Sequence, residues 1–297
     1  MEKEKRLIII DSSSLLYRAF HALPPLTNAK GQPTGAVYGF LLIFFKAIKD
    51  LEANYIVACF DTKKPTFRHE KFEEYKAGRA PTPDGISAQF PVIKEVLKAF
   101  NVPLFEREGF EADDIIATIA KKYAGDAKVF IVSGDLDNLQ LVDENIKVYT
   151  PGKSIKETIL YDDAKVVERF GVRPDQMNDF KALTGDNSDN VPGVPGVGKV
   201  AAADLIGRFG SIKNLYDEMA TDTAILKPKI KEALKENKEK AFLSLDLVTT
   251  DKNMDLDFNL ESCKFGSFDA KKVEVMFREL GFTTLVERIN YLMNFNA

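Results

Sequence analysis

The stretch VFIVSGDLD, residues 129–137, runs from a short apolar segment directly into two aspartates. Two other stretches, LIIID at residues 7–11 and IVACFD at residues 56–61, likewise end in an aspartate. Near-continuous apolar runs of this length are typical of strands that are buried on both faces of a parallel sheet. Because the functional crevice of an open α/β sheet lies outside the carboxyl ends of its strands, the sequence predicts acidic side chains concentrated at that edge.

Two further acidic clusters join these strand ends. EADD, residues 111–114, opens an amphipathic run, and TGDNSDN, residues 184–190, forms a polar segment farther along the chain. Carboxylates that are packed together repel one another, so such a group either takes up protons or holds cations, and hard oxygen ligands suit Mg²⁺ or Mn²⁺. We therefore predict a metal site built from nine acidic residues: Asp11, Asp61, Glu111, Asp113, Asp114, Asp135, Asp137, Asp186 and Asp189.

Each of the two clusters also has a purely structural explanation. Acidic residues in the first turn of a helix complement the helix dipole, which by itself accounts for carboxylates at residues 111–114. Residues 184–190 suit a polar turn or a helix cap, because Asn, Asp, Ser and Gly favour such positions. Three acids within four residues favour the metal site, but local sequence leaves both alternatives open.

The composition sets the broad class of protein. The chain has 297 residues, 45% of them hydrophobic and 29% charged, which is typical of an ordinary soluble protein of one or two domains. Its net charge of −4 gives no overall basic surface for nucleic acid, although bound cations and local basic segments can compensate. The charged residues 1–6 precede an apolar run of only four residues, so we expect no signal peptide, no membrane span and a cytoplasmic protein. Two cysteines, Cys59 and Cys263, provide neither a disulfide framework nor zinc spacing.

The order of apolar and amphipathic segments predicts an α/β fold with a parallel twisted sheet flanked by helices. Strands alternate with helices from Leu7 to about Tyr149, and helical segments dominate after about Val172. We expect a domain boundary that divides the chain into residues 1–171 and 172–297. The predicted helices cover residues 39–51, 90–100, 111–123, 174–183, 200–209, 211–219, 228–241, 269–280 and 283–293, with a short strand at residues 102–105.

A basic segment follows directly from the second predicted strand. KKPTFRHEKFEEYKAGR, residues 63–79, holds six Lys or Arg against three Glu, with three aromatic residues between them. Basic and aromatic side chains together suit phosphate contact and base stacking on a single strand of nucleic acid. The alternative is a solvated helix whose aromatic side chains pack on the protein. Position favours the first interpretation, because a segment that starts just after Asp61 hangs over the predicted acidic edge.

The segment VPGVPGVGKV, residues 191–200, nearly matches a phosphate-binding P-loop. Position 200 is Val, however, where a P-loop needs Ser or Thr, and no buried strand precedes the segment. The better interpretation is a glycine-rich hairpin whose backbone N–H groups, together with the following helix N-terminus, face a phosphate. Such a hairpin would clamp a DNA backbone independently of its sequence, and a plain turn between helices is the alternative.

Five stretches together carry a specific resemblance. They span most of the chain and cover residues 17–40, 60–83, 109–118, 133–142 and 184–198. With them the chain resembles the 5′-nuclease domain found at the N-terminus of bacterial DNA polymerase I, a member of the flap endonuclease family. The resemblance implies a PIN-like sheet flanked by helices and a helical arch, at about residues 63–91, that admits a single-stranded 5′ end. It also implies a C-terminal helix-hairpin-helix element, at about residues 184–210, that binds duplex backbone.

The resemblance further implies roles for individual residues. The acids that match those around one metal ion are Asp11, Asp61, Glu111, Asp113, Asp114 and Asp135, and those around or near the second are Asp135, Asp137, Asp186 and Asp189. The arch residues implied to be catalytic are Tyr75, Lys76 and Arg79, of which the two basic ones stabilise the phosphate. The residues implied to contact DNA are Arg18, Lys63, Lys64, Arg68, Gly193, Val194, Gly196, Gly198 and Lys199. The hairpin turn is also expected to hold K⁺.

The function that the resemblance implies is that of a structure-selective 5′-3′ exonuclease and 5′-flap endonuclease. Two Mg²⁺ ions, for which Mn²⁺ substitutes, would support in-line displacement at a DNA phosphodiester and leave a 5′-phosphate and a 3′-hydroxyl. The expected partners are DNA with a 5′ flap, a nick or a free 5′ end, and RNA-primed 5′ ends, in Okazaki fragment processing and DNA repair. The expected state is a monomer without membrane contact.

Three other classes of protein compete with this interpretation. A non-catalytic DNA-binding relative would have lost acids, and none of the family's acidic positions is missing. A phosphatase that uses Asp11 as its nucleophile needs a second Asp two residues on, where Ser13 stands. A PIN-type ribonuclease lacks the long arch and the hairpin. The two histidines, His21 and His69, are expected to be peripheral, because two-metal hydrolysis needs no histidine base.

The chain departs from the family pattern at four positions. Ser12 stands where the family mostly has Gly, and Leu136 and Asn138 replace residues that are often Lys and Leu. Val200 stands where Lys is common, which removes one expected phosphate contact from the hairpin.

Overall fold

The structure, a computed structural model, describes residues 4–152 and 157–295. Residues 1–3 of the charged N-terminal segment, residues 153–156 and residues 296–297 lie outside the described part. A six-stranded sheet flanked by helices organises the molecule, as the sequence predicts. Its strands are β1 (Arg6–Asp11), β2 (Tyr55–Cys59), β3 (Leu104–Phe105), β4 (Lys128–Val132), β5 (Ile146–Pro151) and β6 (Thr158–Tyr161).

The strand order is β3-β2-β1-β4-β5-β6, so β1 lies inside the sheet between two parallel neighbours. The predicted parallel arrangement is confirmed for β1 to β5, and β6 is the exception because it runs antiparallel to β5. The connection between Pro151 and Thr158 is too short for the crossover that a parallel pair needs, so the chain returns as a hairpin and the sheet is mixed.

Helices cover the sheet and make up most of the chain after β6. They are α1 (Ser12–Ala22), α2 (Gly35–Leu51), α3 (Phe67–Lys71), α4 (Asp84–Ser87), α5 (Gln89–Ala99), α6 (Ala112–Tyr123), α7 (Asp163–Phe170), α8 (Met177–Thr184), α9 (Lys199–Phe209), α10 (Ile212–Ala220), α11 (Pro228–Glu236), α12 (Lys238–Val248), α13 (Ala270–Glu279) and α14 (Val286–Phe295). None of the helices in the described part of the chain is long and apolar enough to cross a membrane. The single helix predicted for residues 228–241 is two helices, which meet at Asn237, and the second continues to Val248.

The segment predicted as a helical arch contains only short helices. Residues 63–91 hold α3 and α4 and the start of α5, and residues 73–79 form successive turns. Gly78, Pro81 and Pro83 follow closely on one another, and these residue types interrupt a continuous helix. The segment instead folds back over the carboxyl edge of the sheet.

Alternation along β1 places hydrophobic cores on both faces of the sheet. Ile8 and Ile10 face a core that includes α2 and α5. Leu7 and Ile9 face a second core that includes α6 and the helices α8 to α10. Both faces of the central strand are therefore covered, which fixes the positions of the strand ends that carry the predicted site.

The last helices return to the first part of the chain. Phe268 and Phe277 contact Phe100, with ring centroids 5.0 and 6.0 Å apart, and Phe265 contacts Phe44 at 6.0 Å. These rings belong to the same core as the α2 and α5 side chains. The C-terminal segment therefore completes the hydrophobic core on one face of the sheet.

Candidate metal centre

Hydrogen bonds at the carboxyl edge of the sheet tie the strand ends to the helices that follow them. Asp11 ends β1 and caps α1, because its Oδ1 accepts a hydrogen bond from the Ser14 N–H at 3.1 Å. Its Oδ2 accepts one from the Ser133 hydroxyl, just after β4, at 2.6 Å. Asp61, just after β2, accepts one from the Ala112 N–H at the start of α6, at 2.9 Å. Three strand ends and α6 therefore belong to one network.

Three adjoining clefts open at this edge. The first, of about 220 Å³, is lined by the acids Asp11, Asp61, Asp113, Asp135 and Asp189. The second, of about 380 Å³, is lined by Asp135, Asp137 and Asp186. The third, of about 10 Å³, is lined by Glu111, Asp113, Asp137, Asp186 and Asp189. Because they share several of these residues, we name them together the acidic cleft, and it brings together eight of the nine acids predicted from the sequence.

Asp114 and Arg68 require a correction. Asp114 was predicted to bind metal and Arg68 to contact DNA, but their exposed fractions are 0% and 2%. Two Arg68 guanidinium nitrogens donate to the two carboxylate oxygens of Asp114, each at 2.8 Å. The third donates to the Leu247 carbonyl at 2.8 Å, and Nη2 also donates to the Thr249 carbonyl at 3.0 Å. All three nitrogens are satisfied inside the protein, so the pair is structural in this conformation. Arg68 lines only the third part of the acidic cleft, where its Nη1 lies 3.5 Å from Glu111 Oε2.

Burial and mutual repulsion disfavour charge on the acids of the cleft. Burial and the neighbouring Asp61 carboxylate raise the pKa of Asp11 to about 7. Burial and the nearby Asp11 raise the pKa of Asp113 well above its ordinary value. Burial and Asp135 raise the pKa of Asp137 to about 7. Additional positive charge in the cleft would therefore stabilise the ionised acids.

Side chains of the basic segment reach into the cleft from one side. Lys76 Nζ donates to Glu111 Oε1 at 2.6 Å and lies 3.6 Å from Asp189 Oδ2. Arg79 forms an ion pair with Asp189 as well. The Tyr75 hydroxyl donates to Glu111 Oε2 and to Asp189 Oδ2, each at 3.2 Å. The structure thus places the three arch residues predicted to be catalytic against two of the predicted metal ligands.

Lys181 holds the opposite side of the cleft, and the sequence reasoning missed it. From α8, its Nζ donates to Asp137 and, at 2.8 Å, to Asp186 Oδ2. Burial opposes the effect, but Lys181 and hydrogen bonds from Ser188 lower the pKa of Asp186 to about 2. The available signal was a lone basic residue in the helix that leads into the acidic segment at residues 184–190.

The donor set of the acidic cleft fits divalent cations. It consists of clustered carboxylate oxygens, the ligands that Mg²⁺ and Mn²⁺ prefer. Within residues 4–152 and 157–295, no three acidic, histidine or cysteine side chains already stand close enough together to hold one ion. Lys76 and Lys181 instead neutralise acids on either side of the cleft. Binding of cations would therefore require these lysines to turn away from their carboxylate partners.

Asn138 contacts the acids at a position where the chain departs from the family pattern. Its Nδ2 donates to Asp113 Oδ1 at 2.9 Å, and the side chain is fully buried. Its own Oδ1 has no hydrogen-bond partner among the residues that the structure describes. A buried carbonyl oxygen without a partner costs about 1–3 kcal/mol, so the contact with Asp113 is made at the expense of stability.

A glycine-rich turn joins α8 to α9 where the sequence predicts a hairpin. A Cβ added to Gly193 would lie 2.3 Å from the Gly185 nitrogen, so only glycine allows the two backbone segments to touch. Gly193 also has a φ of +62°, which glycine adopts without strain. Of the predicted DNA contacts in this turn, Gly193 and Val194 are buried, whereas Gly196, Gly198 and Lys199 are exposed. The exposed residues surround the N-terminus of α9, whose first N–H groups suit an anion.

The remaining predicted DNA contacts lie on the surface around the cleft. Lys63 is exposed, and Lys64 pairs with Glu108 at 2.6 Å, with both side chains more than 60% exposed. Exposed pairs of this kind are worth at most about 1 kcal/mol, so Lys64 can exchange its partner for a phosphate. Arg18 on α1 donates to the Gly152 carbonyl.

Comparison with known proteins gives matches over nearly the whole chain. The family model of the 5′-3′ exonuclease N-terminal resolvase-like domain matches residues 6–171, and that of the 5′-3′ exonuclease C-terminal SAM fold matches residues 172–271. DNA polymerase I of Bacillus caldotenax is 40% identical over 287 residues, which are 96% of this chain and 32% of that protein. A 5′-3′ exonuclease of Aquifex aeolicus is 38% identical over 287 residues, 96% of each chain. The chain spans about a third of the length of the DNA polymerase I relatives that it matches.

Two solved structures share the fold. The bacteriophage T5 flap endonuclease, in a complex with DNA and metal ions, has a TM-score of 0.67 and 21% identity over 98% of this chain and 99% of that one. The catalytic core of Rad2 with a DNA substrate has a TM-score of 0.63 and 18% identity over 98% of this chain and 92% of that one. At these identities the likeness shows the shared architecture, a sheet flanked by helices with a helical C-terminal part.

Proposed function

The chain belongs to the 5′-3′ exonuclease family, a family of phosphodiester-hydrolysing nucleases, and we propose that it is a structure-selective 5′-3′ exonuclease and 5′-flap endonuclease of DNA. The observation that carries the proposal is the acidic cleft, in which eight acids converge at the carboxyl edge of the sheet. Basic side chains face this cleft from residues 75–79, where a phosphate would enter.

The acidic cleft would hold two divalent cations. The acids assigned to the first are Asp11, Asp61, Glu111, Asp113 and Asp135, and those assigned to the second are Asp135, Asp137, Asp186 and Asp189. When bound, the cations supply an activated water and compensate the charge of the departing 3′ oxygen. Mg²⁺ fits the all-carboxylate donor set, and Mn²⁺ shares its preference for oxygen.

The basic side chains at the mouth of the cleft bind the scissile phosphate. As a phosphate enters, Lys76 and Arg79 exchange their carboxylate partners for its oxygens and neutralise the charge that develops on it. Tyr75 keeps Glu111 and Asp189 in place through its hydroxyl group. Water oxygen bonds to phosphorus as the bond to the 3′ oxygen breaks, which leaves a 5′-phosphate and a 3′-hydroxyl.

The glycine-rich turn binds the duplex beside the cleft. Exposed Gly196, Gly198 and Lys199 surround the N-terminus of α9, and its N–H groups contact backbone phosphate without reading sequence. Backbone carbonyls of the same turn suit K⁺. Val200, at 88% exposure, supplies no charge to this contact, so we expect weaker duplex affinity than with Lys at that position.

The substrates that fit this arrangement are DNA with a 5′ flap, a nick or a free 5′ end, together with RNA-primed 5′ ends. The names of the relatives support a place in Okazaki fragment processing and DNA repair, because they are DNA polymerase I and a 5′-3′ exonuclease. The protein would act as a monomer, since a single chain supplies every acid of the cleft.

The test is cleavage of a 5′-labelled flap on a nicked duplex, with Mg²⁺ and with EDTA. Release of the flap near the junction of single strand and duplex, only when Mg²⁺ is present, would support the proposal. Asp135→Asn is the matched control, because it removes an acid shared by both cation sites and should abolish cleavage while DNA binding survives. Binding without cleavage by the wild-type protein, in Mg²⁺ and in Mn²⁺, would favour a non-catalytic DNA-binding relative instead.

A further inference from the structure

A buried contact ties together three segments that are far apart in the sequence. Arg68 lies on α3 and Asp114 on α6, and residues 247–251 comprise the last two residues of α12 and the three that follow it. Arg68 donates to both carboxylate oxygens of Asp114 and to two carbonyls of residues 247–251. The Asp251 N–H donates to Asp114 Oδ1 at 2.8 Å and closes the network.

On one side, this contact fixes an acid of the cleft. Asp114 Oδ2 accepts a hydrogen bond from the Glu111 N–H at 3.0 Å, which caps α6 and orients the Glu111 backbone. The Glu111 carboxylate in turn accepts hydrogen bonds from Tyr75 and Lys76. Arg68 Nη1 also lies 3.5 Å from Glu111 Oε2, so Arg68 reaches Glu111 both directly and through Asp114.

On the other side, the contact fixes the start of the basic segment. The Phe72 N–H donates to the Arg68 carbonyl and the Tyr75 N–H donates to the Phe72 carbonyl, each at 2.9 Å. The Tyr75 ring packs in a small apolar cluster with Leu247 and Val248, beside the carbonyls that Arg68 binds. The positions of Tyr75 and Lys76 therefore depend on the same anchor as the position of Glu111.

Stability alone does not explain why a charged pair occupies this site. Well-packed hydrophobic residues of similar volume are often as stable as a buried ion pair or more so, because the pair loses its hydration. A forked guanidinium, however, sets the direction of several partners at once, which an apolar side chain does not. The ion pair therefore differs from a pair of apolar side chains in the geometry that it imposes on its partners.

We infer that Arg68 is a positioning residue for hydrolysis, because through Asp114 and residues 247–251 it sets Glu111 against Tyr75 and Lys76. The inference rests on the proposed nuclease function. It assigns no substrate contact to Arg68, so its loss should lower the rate at saturating substrate and leave DNA affinity nearly unchanged.

The main test is the full-length double variant Arg68→Met/Asp114→Leu, which replaces the ion pair by apolar side chains. We measure its melting temperature, its Kd for a 5′-flap duplex in EDTA, and its single-turnover cleavage rate in Mg²⁺. The expected result is a lowered melting temperature, because the Glu111 and Asp251 N–H groups and two carbonyls lose their partners, but a Kd of the folded protein within about threefold. The rate should fall about a hundredfold, the loss that misplacement by about 1 Å produces.

Two further variants keep the test decisive. Arg68→Lys retains the buried charge but lacks the fork, and its rate should fall at least about tenfold with little change in Kd. Lys121→Met/Asp143→Leu removes an ion pair at the other end of α6 and should leave the rate unchanged. Arg68→Lys decides the question if the double variant does not fold.

The inference would be overturned by a double variant or an Arg68→Lys variant that cleaves within about threefold of the wild-type rate. It would also be overturned if the rate of Arg68→Lys fell only in proportion to its DNA affinity or folded fraction, since that is a purely structural effect. Absence of cleavage by the wild-type protein would instead reject the proposed function, so the two failures are distinguishable.

Discussion

Asp113 and Asp114 are neighbours in the sequence but lie in opposite environments. Asp113 lines the acidic cleft, where burial and the nearby Asp11 raise its pKa. Asp114 is fully buried, and Arg68 binds both of its oxygens. One residue along a helix turns the side chain by about 100°, so the first turn of α6 presents one carboxylate to the acidic cleft and the next to a buried ion pair. The partner of each acid, rather than the local density of acids, decides its role.

The largest expected effect concerns Asp113, the acid that lines the acidic cleft. Asp113→Asn should lower the single-turnover rate about 10³-fold, because it removes a charged ligand that acts during hydrolysis. The melting temperature should stay equal or rise, since one of several repelling carboxylates is gone. Rate and thermal unfolding are measured on the same preparation. A variant that cleaves normally would place Asp113 outside the cation site and remove the contrast with Asp114.

The next largest effect concerns Asp114, the buried acid. Asp114→Ala should reduce the free energy of unfolding by about 3 kcal/mol, because the buried Arg68 guanidinium loses its bidentate partner and keeps only Glu111, 3.5 Å away, as a counter-ion. Urea denaturation followed by circular dichroism measures the loss. A change below about 1 kcal/mol would show that Arg68 reaches solvent, contrary to its 2% exposure.

The pH dependence of stability separates the two environments without any mutation. In the metal-free protein, the pKa values of Asp11 and Asp137 are about 7, above the value of about 3.9 for an unfolded chain. The folded state then binds more protons between about pH 4 and 7, so this contribution to stability is fully present below about pH 4 and is lost as pH rises through 7. Asp186, whose pKa is lowered to about 2, acts in the opposite sense but only at lower pH.

We therefore expect the melting temperature in EDTA to fall by several degrees, roughly 5 °C, between pH 5 and 8. Mg²⁺ should reduce the fall, because cations stabilise the ionised acids, and Asp113→Asn should reduce it as well. A melting temperature that rises over this range in EDTA would contradict the repulsion that we assign to the cleft.

The smallest effect concerns the residue that touches Asp113 from the protein interior. Asn138→Leu should change the free energy of unfolding by less than about 1 kcal/mol, because removal of a buried oxygen that lacks a partner among the described residues offsets the loss of the hydrogen bond to Asp113. The cleavage rate should fall a few-fold, since Asp113 loses the hydrogen bond that holds it. Asn138→Asp is the matched comparison and should lower stability by adding another carboxylate. A loss of stability well above about 1 kcal/mol in Asn138→Leu would contradict this balance and indicate a partner for the Asn138 oxygen.

The sequence was sufficient to predict strands β1 to β4 and the acids that follow β1, β2 and β4, but not the antiparallel strand β6. Asp11, Asp61 and Asp135 each follow an apolar run, and parallel strands bring such ends together whatever the details of packing. The ion pairs were not predictable, because they depend on segments that meet only after folding. Arg68 finds its carbonyl partners 179 and 181 residues farther along the chain. Nothing in residues 63–79 distinguishes that buried arginine from the basic residues around it that face the cleft.

The aromatic contacts of α13 have a consequence for synthesis. The chain emerges from the ribosome with its N-terminus first, so Phe44 and Phe100 appear long before Phe277. Until residues 265–292 are made, the hydrophobic core on one face of the nascent sheet is incomplete and exposes aromatic surface. Residues on both sides of the boundary between the two family models, at residues 171 and 172, therefore pack in one hydrophobic core. We therefore expect chaperone capture of ribosome-bound intermediates to cease only when residues 265–292 have emerged.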